Sequence, residues 1–381
     1  MLAERPAIER RIITALDASP ARVPVLVGGC GSGRTTLLQR LQQHLGTSAE
    51  YLDVERVATT PEGFLSSITA ATHSDTPSKL QPEEGQRSAR IAFDRVCRFL
   101  QEARTPTGEG VTFLLDEALE VRTFESFPGL RGALRELWAT LCTGPNRFVL
   151  TTRFVTRTHR LFRDAPEQFE FIHIPPLTPA EVSTALLPLE LGESADERLE
   201  LSRILHALTD GRPLYLQLLA AATKAMGSGD PVSALASQLA PGTPLSMACR
   251  FSYELRLHRA RGYGALKAIL QVLSHQEPLT LTEIAQRLGR TPGSTKDYLS
   301  WLEDVDLLQV QQKRYSFSDP LLRLWVRLHG LAHPPRDEDL AREAQEYAVA
   351  RFPYMEPALL AEPSVATPPA QERSWGMIEI D

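Results

Sequence analysis

The chain has 381 residues, 43% of them hydrophobic and 23% charged, which describes a globular protein of two or three domains and excludes a disordered or fibrous one. No apolar run approaches the roughly 18 residues of a membrane span, and the opening Met1-Leu-Ala-Glu-Arg-Pro6 lacks a secretory core, so the expectation is a cytoplasmic protein. The net charge of −6 is uneven: 25 basic against 29 acidic residues over 1–242, 12 against 8 over 243–332, and 4 against 10 over 333–381. No stretch is basic enough to demand nucleic acid, although 243–332 permits it.

The first informative element is Val23-Pro-Val-Leu-Val-Gly-Gly-Cys-Gly-Ser-Gly-Arg-Thr-Thr36. An apolar strand runs into a glycine-rich loop, and Leu37, Leu38 and Leu41 open a helical pattern after it, which is the context a P-loop requires. Gly28, Gly33 and Thr35 match G-x-x-x-x-G-K-[ST], with Arg34 where lysine is expected. Gly28, Gly29, Cys30, Gly31, Ser32, Gly33, Arg34 and Thr35 are the expected phosphate cradle, built of backbone N–H groups and a helix N-terminus, with Thr36 at the α-phosphate. The Thr35 hydroxyl is placed to ligate Mg²⁺. Arginine keeps the attraction of lysine but not its position, so binding should survive the replacement better than catalysis. Read alone, the loop also fits an ordinary glycine-rich turn.

Further along, Val111-Thr-Phe-Leu-Leu-Asp-Glu117 is a strand ending in two carboxylates. Asp116 is expected to hold the metal through water, and Glu117 to orient or deprotonate the attacking water. The bland alternative is a buried strand meeting an acidic loop. Arg147-Phe-Val-Leu-Thr-Thr-Arg153 is another short strand whose end would open on the same crevice. There Thr152 is expected near the water and Arg153 at a γ-phosphate, unless Arg153 is simply a surface residue at a strand exit. Phe169–Ile174 reads as a last strand. A helical, leucine- and alanine-rich stretch then opens at Thr178, with Pro213 starting a helix after the Gly211 turn.

In this order the motifs resemble the STAND branch of AAA+-related NTPases, especially its compact archaeal-type ATPases, over roughly residues 1–330. The resemblance implies ATP or ADP with Mg²⁺ as ligands, and Thr152 or Arg153 as the residue sensing the terminal phosphate. It also implies Pro213 against the adenine, with Gly211-Arg212-Pro213 closing the pocket and Arg5–Glu9 near the base. Arg157 and Arg160, just beyond the sensor strand, are candidates for a residue reaching a neighbouring subunit's site.

Tyr263–Leu273 then reads as a helix, followed by a short helix with Thr282 as N-cap candidate and Gly289 as stop, and by a third over Thr291–Glu303. Leu307–Val310 and Arg314–Phe317 fit the two strands of a wing, completing a winged helix-turn-helix. Its presumed recognition helix offers Ser294, Thr295, Lys296, Asp297 and Ser300 and ends in Glu303 and Asp304, one lysine among three acids, so packing on the ATPase core is preferred to DNA binding. The family's C-terminal element resembles Tyr315-Ser-Phe-Ser-Asp-Pro-Leu-Leu-Arg-Leu-Trp325, with Ser318 where larger STAND switches carry a phosphate-facing histidine. Asp337–Arg351 predicts a helix, and beyond it a proline-rich segment ending Trp375-Gly-Met-Ile-Glu-Ile-Asp381 reads as a linker with an apolar end. The four cysteines, Cys30, Cys97, Cys142 and Cys249, lack C-x-x-C spacing and point to neither zinc nor a disulfide framework.

The expected fold is therefore an α/β P-loop NTPase core over 1–177, a helical lid over 178–242, a winged helix over 243–332 and an acidic helix with tail over 333–381. The expected function is a nucleotide-state switch with slow ATPase activity, its partners a nucleotide and a protein or second copy. A DNA-binding regulator and a non-hydrolysing, nucleotide-bound scaffold are the alternatives.

Overall fold

Strands and helices alternate over the first 173 residues, and in a computed structural model they wind into one parallel sheet. The structure describes residues 5–71, 88–163, 165–192, 194–227, 229–258, 260, 262–330 and 333–352. The elements are α1 (Pro6–Leu16), β1 (Val23–Val27), α2 (Arg34–Leu45), β2 (Ala49–Asp53), α3 (Val54–Val57), α4 (Pro61–Ala71) and α5 (Ala89–Glu102). There follow β3 (Thr112–Asp116), a 3-10 segment (Ala118–Ser126), α6 (Ala133–Leu141), β4 (Arg147–Thr152), α7 (Val155–Leu161) and β5 (Phe169–His173). The strand order is β2-β3-β4-β1-β5, with every pairing parallel.

Both faces of the sheet are covered, so its strands are apolar throughout rather than alternating. Successive residues still serve opposite layers. Phe113, Leu115, Phe148 and Leu150 join the core beneath α4, α5 and α6, while Leu114, Val149 and Leu26 join that beneath α1 and α2. Ala92, Phe93, Val96, Phe99 and Leu100 form the buried stripe of α5, at helical spacing. Pro24 is tolerated in a central strand because Val23 donates its N–H toward β5 and the β4 ladder begins only at Val25, after the missing N–H.

The second half is helical: α8 (Pro179–Leu186), α9 (Ala195–Thr209), α10 (Pro213–Met226), α11 (Pro231–Gln238), α12 (Pro244–His258) and α13 (Tyr263–His275). Then come β6 (Leu279–Thr280), α14 (Leu281–Arg287), α15 (Pro292–Asp304), β7 (Leu308–Gln311), β8 (Arg314–Phe317), α16 (Pro320–His329) and α17 (Asp337–Arg351). Eight described helices begin on a proline, where the missing N–H costs nothing. The winged helix is present, with strand order β6-β8-β7. Its α14 is capped by Thr280, not Thr282: Thr280 and Glu283 form the reciprocal capping box, for which Thr282 has no acid three residues on.

One hydrophobic core runs from the lid helices through the winged helix, joining Leu205, Leu219, Leu239, Cys249, Leu270, Leu302 and Trp325, and α17 adds Leu340, Ala344 and Ala348 to it. The apolar end expected at Trp375–Asp381 lies outside the described residues. Among the described residues, no helix is long and apolar enough to cross a membrane.

Candidate nucleotide site

The loop between β1 and α2 takes the conformation its glycines allow. Gly31 and Gly33 have φ of +75° and +89°, a region where a side chain is strained. A Cβ on Gly31 would also stand 2.9 Å from Cβ of Leu214 at the head of α10, and Leu214 N–H donates to the Gly31 carbonyl at 3.2 Å. The lid therefore rests directly on the loop. Together they enclose a cavity of about 240 Å³ lined by Arg5, Ser32, Thr36, Ile174, Pro213 and Gln217, among others. Arg5 Nη2 and Ser32 Oγ, both on that lining, are buried with no hydrogen-bond partner in the protein. Orphaned donors facing a glycine loop fit a nucleoside phosphate.

At the strand ends the carboxylates converge. Thr35 Oγ1 donates to Asp116 Oδ2 at 2.7 Å, Tyr51 OH donates to the same oxygen at 3.0 Å, and Thr151 Oγ1 donates to Asp116 Oδ1. Burial, reinforced by Asp116, pushes the Tyr51 phenol well above its ordinary range, so it remains a donor. Among the described residues, no three His, Cys, Asp or Glu side chains group as a metal site. Mg²⁺ held by Thr35 and Asp116 would thus draw its remaining ligands from phosphate and water.

Arg34 turns toward the strand ends. Its Nη2 donates to Glu117 Oε1 at 2.6 Å and its Nη1 to the Gly29 carbonyl at 2.9 Å, so its fork is engaged at the strand ends. Glu117 is also gripped by Arg153, whose Nε lies 3.1 Å from Oε1 and whose backbone N–H donates to Oε2 at 3.1 Å. Arg153 in turn pairs with Glu55. A chain Arg34–Glu117–Arg153–Glu55 results, with Arg34, Glu117 and Arg153 all buried. Burial works against the Arg153 charge, but Glu117 and Glu55 outweigh it and raise its pKa. Glu117 itself sits at φ 54°, ψ 46°, a left-handed conformation held by its N–H bond to Thr151 Oγ1 at 2.9 Å.

Thr152 does not face this cluster. Its Oγ1 accepts from Phe154 N–H at 3.2 Å and helps begin α7, while Thr151 touches Asp116. Within the chain the Arg157 guanidinium lies 4.6 Å over the Phe154 ring, and the half-exposed Arg160 pairs with Asp304 at 2.7 Å.

The winged helix forms a further wall. Asp306, in the turn after α15, accepts from Val155 N–H at 2.5 Å and from Thr156 N–H and Oγ1 at 3.1 and 2.8 Å, capping α7, the helix that follows β4. A second cavity, of about 490 Å³, lies between the loop and the wing and is lined by Gly29, Cys30, Arg212, Pro213, Glu303 and Ser318, among others. Glu55, Tyr51, Thr151 and Asp306 escaped the sequence reading; all act through contacts between distant segments.

The comparisons agree with this architecture. A model of the IclR helix-turn-helix domain matches residues 267–312. A Walker-type ATPase of Pyrococcus abyssi is similar in structure with a TM-score of 0.63 at 17% identity, over 86% of this chain and 96% of that one. A STAND protein with a tetratricopeptide repeat sensor from Pyrococcus horikoshii overlaps at a TM-score of 0.37 and 18% identity, over 92% of this chain and 45% of that one. The RuvB Holliday junction branch migration motor of Thermotoga maritima does so at 0.41 and 13%, over 83% and 92%. Those two overlaps are too loose to build on. No curated protein sequence matches the chain. The fold is that of a Walker-type P-loop ATPase carrying a C-terminal helix-turn-helix domain, as the motif order implies.

Proposed function

We propose that this protein is a cytoplasmic, ATP-binding regulatory switch of the STAND type that hydrolyses ATP slowly and reports its nucleotide state through the winged helix. The observation that carries the reading is the shared wall: the winged helix caps α7, directly after the sensor strand, and lines a cavity with Gly29 and Cys30. A ligand with different affinities for two arrangements of that wall shifts their populations. The bound nucleotide would supply the phosphate charge that distinguishes the states. Gly28 to Thr36 and Pro213 hold it in this reading, with Thr35 and Asp116 at Mg²⁺. Slow turnover follows from Glu117, whose oxygens are engaged by two arginines. A general base needs a free lone pair within reach of the water.

The first test is to denature the purified protein and identify released nucleotide by anion-exchange chromatography. Near-stoichiometric ADP supports a resting switch, and retained ATP favours a non-hydrolysing scaffold. An empty protein that also fails to bind Mg-ATP overturns the reading.

One observation favours a second reading, a DNA-binding regulator with a nucleotide-sensing domain. Ser294, Lys296, Asp297 and Ser300 of α15 are exposed, as are Arg287, Arg290, Lys313 and Arg314 around them, and the helix-turn-helix match covers all of these but Lys313 and Arg314. Duplex affinity that falls steeply with salt supports this reading; no measurable affinity at low salt excludes it.

A further inference from the structure

We infer that the segment Trp375-Gly-Met-Ile-Glu-Ile-Asp381 lies along a groove formed by α12, α13 and α16, so that the chain covers this face of its own winged helix. The segment lies outside the described residues; the groove lies within them. Helix α12 is apolar on two sides. Leu245, Cys249 and Leu257 are buried in the core, while Met247 and Phe251, one turn apart on the opposite side, are 50% and 67% exposed. Phe251 is the most exposed large apolar side chain among the described residues. Single exposed apolar residues are ordinary, but a stripe beside a groove marks a contact surface. The groove, of about 540 Å³, is lined by Arg250 and Tyr253 of α12, Lys267 and Gln271 of α13, and Trp325 and His329 of α16, among others. Its aromatic wall is fixed in advance. Trp325 Nε1 donates to Ser246 Oγ at 2.9 Å, and its ring stacks on His329 at 4.9 Å and leans on Tyr253 at 5.6 Å.

Charge, length and reach single out the chain's own segment as the occupant. Lys267 lies 3.5 Å from Glu254, while the exposed Arg250 has no ion pair among the described residues, which leaves the groove net positive. Residues 243–332 carry 12 basic against 8 acidic residues, whereas 353–381 hold one basic against five acidic. Opposite charge brings the two together, and apolar contact holds them. Trp375, Met377, Ile378 and Ile380 supply the apolar side chains, and Glu379 and Asp381 the acidic ones. From Met247 to His258 the outer face of α12 runs about 16 Å, the span of about five extended residues such as Met377–Asp381. Helix α17, from which the chain continues, is tied to α16 by the Arg327–Glu343 pair. The 22 residues between Phe352 and Trp375 extend up to about 70 Å, so a groove on the adjoining helix is within reach. A tethered segment is presented at about millimolar concentration, so a site of about 0.1 mM affinity is filled about nine parts in ten.

The test is hydroxyl-radical labelling of the full chain, with oxidation of each methionine read by mass spectrometry. Met226, at the end of α10, is 46% exposed and Met247 50%, so uncovered they label at nearly equal rates. Coverage by the segment is expected to slow Met247 about three- to tenfold relative to Met226, as an occupancy of that order requires. The full-length variant Trp375→Ser/Ile378→Ser should bring the two methionines to within about 1.5-fold of each other, because the apolar anchors are gone. Arg250→Glu, a surface change, should speed Met247 about two- to threefold by removing the charge attraction. Equal labelling of Met226 and Met247 in the wild type overturns the proposal, as does protection that survives the Trp375→Ser/Ile378→Ser change. Protection that fades on dilution overturns it too, since it assigns the face to a second copy. Labelling of Met247 unmoved by Arg250→Glu overturns the acidic half of the contact.

Discussion

Replacing Glu117 by glutamine should cost the fold more than replacing Arg34 by methionine, although both changes break the same ion pair. Arg34 has one anion in contact, Glu117 at 2.6 Å, and otherwise the Gly29 carbonyl at 2.9 Å. Glu117 has two cations, Arg34 and Arg153, and the Arg153 N–H as well. Glu117→Gln leaves Arg34, 7% exposed, without a counter-charge, and an uncompensated buried charge costs about 3–5 kcal/mol. Arg153 keeps Glu55 and suffers less. Arg34→Met leaves the carboxylate with Arg153, so the loss approaches one charge-assisted hydrogen bond, about 1.5–3 kcal/mol. The expected gap is about 1–2 kcal/mol, with Arg34→Met and Glu117→Gln strongly non-additive in the double variant. The assay is urea unfolding of nucleotide-free protein, followed through the summed fluorescence of its four tryptophans, among them Trp138, which is buried and stacked on Phe162 at 4.5 Å. Equal costs, or a larger cost for Arg34→Met, would refute the claim that Glu117 is shared between the two arginines.

Arg34→Lys gives up the two-handed grip on Glu117 and the Gly29 carbonyl, so Mg-ATP turnover should rise at least about tenfold, one step of roughly 1.4 kcal/mol; phosphate release no faster than wild type would count against the clamp. Asp306→Ala removes the cap on α7 and should destabilise the protein by about 0.5–2 kcal/mol, with faster hydrogen exchange over residues 153–161; unaltered exchange there would show that the cap is idle. By contrast Asp304→Asn, which removes an ion pair whose arginine is half exposed, should cost less than about 1 kcal/mol in the same measurement. Burial raises the Asp306 carboxyl above its ordinary value. A raised folded-state pKa adds stability that is full at acid pH and lost as pH climbs through that value. The stability of the wild type relative to Asp306→Asn should therefore fall from about pH 4 upward, and a difference flat with pH would contradict the assignment.

The strands around the site were legible because each joins an apolar run to polar residues at its end, and the winged helix because its helices carry caps and stops. Residues whose partners lie far along the chain were not. Thr151 and Thr152 could not be told apart, since β4 is buried on both faces and alternation carries no signal. Thr280 was within reach, as Thr280-x-x-Glu283 is the reciprocal capping pattern and Thr282 is not. The oddity of Arg34 was plain from the sequence, but its destination depends on where Glu117 and Gly29 stand in three dimensions. Glu55 and Asp306 follow the same rule, each reaching its partner across about 100 residues or more.

The continuous core of lid, winged helix and α17 has a mechanical consequence. Leu205, Leu239, Leu270 and Trp325 belong to one packed body, so these helices have little freedom to slide against each other. Between this body and the sheet stand the strap out of β5, with Pro175 and Pro176, the bonds of Asp306 to α7, and Phe154, which joins the same core. In the switch proposed above, the wing tip at Gln312 and Lys313 would be carried as one piece with this body, so its position rather than its internal shape would report the state.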